Sequence, residues 1–250
     1  VQILTQITRA GKPVQANRVH SYIRRLFNWG IRQDKLLYNP ASGIERNKEN
    51  PKERFLNTAE MKRFLDGLPD SEIPEKVGSV YRLILLLGLR PGEAVSIRRD
   101  AIDWEERTIR LEETKNGRVH IVPISRQAMS VIEAQPENGQ WLFPSMTNPK
   151  KHLRTDTVSK ALKKYRDQLG ILPTTPHDLR RTFATGLAQT KATRLIISLA
   201  LNHTTQGVTS TYDRHGYDEE LRAAIQRWGD YVEGIRDSQS KVSLLRSNHG

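Results

Sequence analysis

The stretch "TTPHDLRRTFATGLA", Thr174–Ala188, reads as a helix with charge gathered at its start and an apolar flank along its body. Pro176 suits the first helical position, where a missing N–H costs nothing. His177 and Arg180 then stand three residues apart on one face of the first turn. Leu179, Phe183 and Leu187 recur at helical spacing and give the helix a side to bury. Backbone donors at such an end are unpaired and the helix dipole is positive, so a phosphate is favoured there. Arg180 adds a fork of donors that matches two phosphate oxygens better than a lysine could. A solvated basic helix start fits the same residues, and the remainder of the chain has to separate the two readings.

Outward from this helix the same period recurs at 125–134, 155–169 and 192–200, and a last helix runs through "DEELRAAIQRWGDYVEGI", residues 218–235. "LNTAEMKRFLDGL" begins another, with Asn57 or Thr58 as N-cap and Glu60 in the first turn. Residues 77–89 form a strongly apolar helix that ends in "GLRPGE". "RTIRLEETKNGRVHIVPIS", 107–125, is different: two short alternating strands meet at Asn116-Gly117, a strong hairpin signal. The class is therefore mainly α with a small antiparallel β-sheet, an α+β fold.

Nearer the N-terminus, residues 14–38 read as one helix with Val19, Tyr22, Ile23, Leu26 and Phe27 on its apolar face. Arg18, Arg24, Arg25 and Arg32 occupy the rest of it. "NPASGIERNKENPKERF", 39–55, breaks the pattern with prolines, a glycine, asparagines and alternating charge, as a linker does. The expected partition is a partial helical domain at 1–46, a linker at 47–54 and a second domain at 55–250. The first piece is too short to fold alone, so an upstream part of it is expected to be missing.

Charge narrows the partner. Lys and Arg number 40 against 28 Asp and Glu, a formal net charge of +12, which favours a polyanion. Cysteine is absent, which removes disulfides and thiolate zinc sites. The longest apolar run, "LILLLGL" at 83–89, is too short for a bilayer, so no membrane role is expected and a cytoplasmic protein is. Neither G-x-x-x-x-G-K-[ST] nor G-x-G-x-x-G occurs, and the seven histidines lack metal spacing. Asp100, Asp103, Glu105 and Glu106 suit a solvated turn better than a two-metal nuclease. No cofactor and no metal is expected.

Four further features stand out, each with a plain structural reading beside it. Arg90 ends an apolar helix with Glu93 near enough to orient it, or to form a mere salt bridge. Lys115 sits at the hairpin tip, where a lysine is usually just solvated but could reach a bound strand. His203 follows an apolar helix, and Tyr212 lies nine residues further on; alone, either would be structural.

In order along the chain, Arg90, Lys115, His177-x-x-Arg180, His203 and Tyr212 resemble the tyrosine recombinase (phage integrase) family. "GLRPGE" is similar to its first arginine box, "TKNGRVHIVPI" to its hairpin lysine segment and "TPHDLRRTFAT" to its His-x-x-Arg box. "LALNHTT" and "TSTYDRH" are similar to its last histidine and nucleophile segments. The resemblance covers about residues 55–230, and the first piece resembles the later part of the family's core-binding domain. Asn202 departs from the usual glycine, and Pro91 from a basic or small residue; neither removes a reacting group.

The resemblance implies a site-specific recombinase that cleaves and rejoins DNA through a 3′-phosphotyrosine. Its catalytic residues would be Arg90, Lys115, His177, Arg180, His203 and Tyr212, with Glu93 in support and Tyr217 a rival nucleophile outside the family's spacing. Arg18, Arg24, Arg25, Arg32 and Arg181 would contact DNA. The implied partners are double-stranded DNA with attachment-type sites, three further copies in a homotetramer, and accessory DNA-bending or directionality proteins. The C-terminal helix, 218–233, would dock on a neighbouring protomer. A Xer-like resolvase, a type IB topoisomerase and a DNA-binding protein without catalysis are the alternatives.

Overall fold

The structure is a computed structural model that describes residues 2–49, 53–112, 119–137, 139–203 and 214–237. The chain divides into two compact units, Val1–Glu53 and Arg54–Gly250. In the first, α1 (Gln2–Arg9) and α2 (Pro13–Arg32) are joined through Gly11, whose φ of +74° suits a residue without a Cβ. Pro13 starts α2 where its ring is pre-set for a helix.

Two expectations fail in this unit. The helix stops at Arg32 rather than running to residue 38, and Asp34 takes a positive φ just beyond. Tyr22 and Leu26, expected on the buried face, are 68% and 63% exposed. The buried positions of α2 are Ala16, Asn17, His20 and Gly30 instead. The cause is polar pairing with the chain as it returns over the helix. The Asn17 amide donates to Asn47 O and accepts from Asn47 N, each at 2.8 Å, and donates to Glu49 Oε1 at 2.7 Å. His20 Nε2 lies 2.8 Å from Ala41 O. Residues 47 and 49, within the expected linker, are thereby pinned to α2. Arg18, Arg24, Arg25 and Arg32 all lie on exposed positions.

The second unit begins with α3 (Thr58–Gly67), capped by Asn57 and Glu60 in a reciprocal capping box. Next comes α4 (Glu75–Leu87), buried along nearly its whole length, which explains its lack of a polar face. It ends at Gly88 in the left-handed conformation, φ +65°, where a Cβ would lie 2.2 Å from the Phe183 ring. A short α5 (Pro91–Val95) and a 3-10 turn (Arg99–Ala101) lead into the sheet. The strands β1 (Ile102–Asp103), β2 (Thr108–Leu111) and β3 (His120–Pro123) are antiparallel in the order β1-β2-β3. The register sets Leu111 opposite His120 and Ile109 opposite Val122, so inward residues meet across the ladder. The Asn116-Gly117 turn expected between β2 and β3 lies outside the described residues.

Among the described residues five further helices follow: α6 (Arg126–Glu133), α7 (Thr155–Tyr165), α8 (Pro176–Gln189), α9 (Arg194–Ala200) and α10 (Arg214–Asp237). Leu179, Phe183 and Leu187 of α8 are fully buried, as their spacing predicts. Leu221, Ala224, Ile225, Trp228 and Val232 of α10 are buried within their own unit. Trp228 donates Nε1–H to Leu85 O at 2.8 Å and packs against Gly186, where a Cβ would come within 2.0 Å of the indole. Only a glycine on α8 admits that ring.

Candidate active site

Pro176 opens α8 with Thr175 as its N-cap. The Asp178 carboxylate accepts from Thr175 N at 2.8 Å and from Thr175 Oγ1 at 2.7 Å, and Arg181 Nη1 donates to its other oxygen. A second brace lies just upstream. Arg54 Nη2 donates to Glu60 Oε1 at 2.6 Å and to Thr174 Oγ1 at 3.1 Å, tying the start of the unit to the approach to α8. The Arg54 guanidinium holds the buried Glu60 carboxyl below the usual carboxylate value. The helix end expected to face an anion is thus answered by the chain's own Asp178. The charge that stays available belongs to Arg180, further along the turn.

Arg180 is 5% exposed, which is rare for a guanidinium. Its fork is fixed on two main-chain carbonyls: Nη1 donates to Gly88 O, and Nη2 to Leu201 O at 2.6 Å. Both carbonyls lie at helix ends, after α4 and after α9, where the last C=O groups have no partner in the helix. Arg180 therefore joins three helices. Glu93 Oε2 lies 3.8 Å away as its counter-ion. Burial, then the like charge of Arg90, lowers Arg180 to about 10, so it stays charged at neutral pH.

Arg90 stands across the same carboxylate. Its Nη1 donates to Glu93 Oε1 at 2.6 Å, and its backbone N–H to Glu93 Oε2 at 2.8 Å. Two guanidiniums thus share one buried carboxylate, and the cluster carries one net positive charge. That is the charge a phosphodiester would neutralise.

The two imidazoles lie at the exposed edge of this cluster. His177 is pushed below the ordinary histidine value by partial burial first, then by Arg180, Arg181 and Arg90. His203 is lowered by burial, then by Arg180 and Arg90, and its backbone N–H donates to Ser198 O at 3.0 Å. Both are neutral near pH 7, each able to donate from one nitrogen and accept at the other. The structure therefore brings Arg90, Glu93, His177, Arg180 and His203 together. Lys115 and Tyr212 lie outside the described residues. Arg181, expected on DNA, is paired with Asp178 and partly exposed.

Sequence reading passed over His120. It opens β3, is 7% exposed, and feels the charges of Glu93, Arg180 and Arg90. Burial above all lowers it to about 4. Its signal was the strand alternation itself, which puts residue 120 on the same inward side as Val122. Among the described residues, no group of three or more His, Asp or Glu side chains could hold a metal ion. No helix among them is long and apolar enough to cross a membrane.

A mainly helical unit with a three-stranded sheet, and a buried arginine at the meeting of three helices that shares a carboxylate with a second, half-buried one, defines a recognisable class. Residues 54–219 match the phage integrase family, and the chain belongs to it. It is similar to the prophage integrase IntZ of Escherichia coli (strain K12), 25% identical over 247 residues, covering 94% of this chain and 60% of IntZ. It is also 30% identical over 189 residues to the tyrosine recombinase XerA of Pyrococcus horikoshii, covering 70% of this chain and 65% of XerA. Among solved structures it shares its fold with a lambda integrase fragment (75–356), a dimer bound to a COC′ core site. That likeness has a TM-score of 0.69 at 18% identity and covers 83% of this chain and 78% of the other. The chain spans about 60% of the length of the E. coli prophage integrases it matches.

Proposed function

We propose that this chain carries the strand-transfer site of a site-specific DNA recombinase, an integrase that cleaves and rejoins DNA through a 3′-phosphotyrosine. The observation that supports this most is the Arg90–Glu93–Arg180 cluster, built around a buried carboxylate, with two neutral imidazoles at its edge. In the proposed reaction Arg90 and Arg180 grip the non-bridging oxygens of the scissile phosphate. There they stabilise the charge that builds on the pentacoordinate transition state. Glu93 keeps the two like charges side by side before the phosphate arrives.

Tyr212 supplies the nucleophile. Its Oη forms a bond to phosphorus while the bond from phosphorus to the 5′-oxygen breaks. The phenolic proton passes to a neutral imidazole, and the leaving 5′-oxygen takes a proton from Lys115. The phosphotyrosine keeps the ester bond, so a 5′-hydroxyl from another strand can reverse the step without ATP. Arg18, Arg24, Arg25, Arg32 and Arg181 supply contacts to the DNA backbone, in keeping with the net charge of +12. The working assembly is a homotetramer on paired attachment-type sites in the cytoplasm, with accessory DNA-bending or directionality proteins, serving a prophage or genomic island. In this reading the first unit, Val1–Glu53, serves core binding and the second, from Arg54, carries catalysis; the division into two units supports that assignment.

A duplex nicked close to the crossover traps the intermediate, because the short cleaved fragment diffuses away. The chain should form a covalent adduct with it, and Tyr212→Phe should abolish that adduct. No adduct from the unaltered chain, or one that survives Tyr212→Phe, contradicts the proposal. Relaxation of supercoils at random sites would point to a topoisomerase instead.

A further inference from the structure

Among the described residues, His120 is the one buried histidine beside the arginine cluster, and the proposed reaction gives it no task. Neither ring nitrogen is open to solvent, and neither makes a hydrogen bond of ordinary geometry among the described residues, the backbone of Leu199 coming nearest to one. An apolar side chain of similar size would fill that space without leaving polar atoms unpaired, so an imidazole here calls for a reason. Its surroundings supply one. Glu93 on α5, Arg90 beside it and Arg180 on α8 all act on the ring, as does the backbone of Leu199 on α9. The strand it opens continues directly from the segment that carries Lys115, and α9 runs on into His203. His120 thus stands where the supports of the reacting groups converge. Neutral imidazole suits the place: it offers one donor and one acceptor and adds no third positive charge to the cluster.

We propose that His120 is a positioning residue of the strand-transfer site: with DNA bound, one ring nitrogen donates to the Leu199 carbonyl while the other accepts from a guanidinium of the arginine pair. The bonds tie β3, α9 and the arginines into a single arrangement, so that Lys115 and His203 meet the same phosphate. Donors are available, since the two bonds from Arg180 to carbonyls leave part of its five-donor fork unused. The proposal rests on the recombinase reading, but its tests separate the two.

The first test is the rate of adduct formation on the nicked duplex at saturating DNA. His120→Leu should slow it on the order of 10–100-fold, the effect of a small misplacement of reacting groups. Its melting temperature and DNA affinity should stay near those of the unaltered chain. His120→Asn or His120→Gln, whichever sets its amide at the partnered nitrogen, should restore most of the rate. A His120→Leu variant that cleaves at the original rate overturns the proposal, and so does a loss that only tracks falling melting temperature. The second test needs no His120 variant. In Tyr212→Phe protein with labelled histidine, the His120 ring ¹⁵N resonances should shift when an intact duplex binds. Unchanged resonances would overturn the proposal even where substitution at 120 prevents folding. Failure of the unaltered chain to form any adduct counts against the recombinase reading, and the ring resonances would still decide the case of His120.

Discussion

Arg180 concentrates the physics of the site in one side chain. A buried guanidinium is tolerable because two carbonyls and a carboxylate surround it, and the same contacts fix its plane before any ligand arrives. Preorganisation of this kind separates arginine from lysine. A lysine ammonium keeps the charge but is a compact point donor that cannot span the Gly88 and Leu201 carbonyls while facing a phosphate. Arg180→Lys should therefore bind DNA nearly as well as the unaltered chain yet form adduct about 100–1,000-fold more slowly. Single-turnover rates and a binding titration check this, and equal losses in both would mean that Arg180 serves binding alone. Sequence reading pairs Arg180 with His177 correctly by helical spacing. It could not show the two carbonyls, because they sit at the ends of other helices, far away in the chain.

At the scale of elements, helix ends do most of the placing. Gly88 closes α4, turns the chain towards Arg90 and presents its carbonyl to Arg180. Two costs meet in Gly88→Ala: a positive φ, and a methyl group driven 2.2 Å from the Phe183 ring on α8. The substitution should destabilise the unit by about 2–4 kcal/mol, read by urea unfolding. An effect below about 0.5 kcal/mol would show that Phe183 moves aside freely. Elements whose ends carry local chemistry were legible: Pro176 at the start of α8, and Asn57 with Glu60 at the start of α3. The C-terminal end of α2 was not. The chain leaves the helix through Asp34, a non-glycine at positive φ, and is held back by the Asn39 amide on Arg24 O and Asn28 Oδ1; no local pattern records such pairing. For the same reason Tyr22 and Leu26 were assigned to a buried face they do not occupy. The period of α10 was readable, but not which surface it covers, because the Gly186 notch that seats Trp228 shows only after folding.

Across the molecule, two buried ionisable groups make folding sensitive to acid in the same direction. Glu60 is held below its ordinary value of 4.5 by Arg54, so the stability it contributes is present above that value and lost as pH falls through the lower folded one. His120 is neutral in the fold down to about 4 but takes up a proton near 6.5 when unfolded. Between those values the unfolded chain binds more protons, so stability declines as pH falls from about 6.5 to about 4. Urea midpoints over this range should decline, and His120→Leu should flatten the decline; an equal slope in both proteins would contradict the assignment. At this scale the fold class was legible, because charge, period and spacing agree along the second unit. His120 was hidden by the strand that buries it.

The central claim is that Arg90 and Arg180 act on one phosphate as a unit. The most direct measurement is a double-mutant cycle on the rate of adduct formation, with Arg90→Gln, Arg180→Gln and the double variant at saturating nicked duplex. If both guanidiniums stabilise the same transition state, the double variant should be scarcely slower than the worse single one. Two losses that multiply in full would mean that the arginines work at separate places.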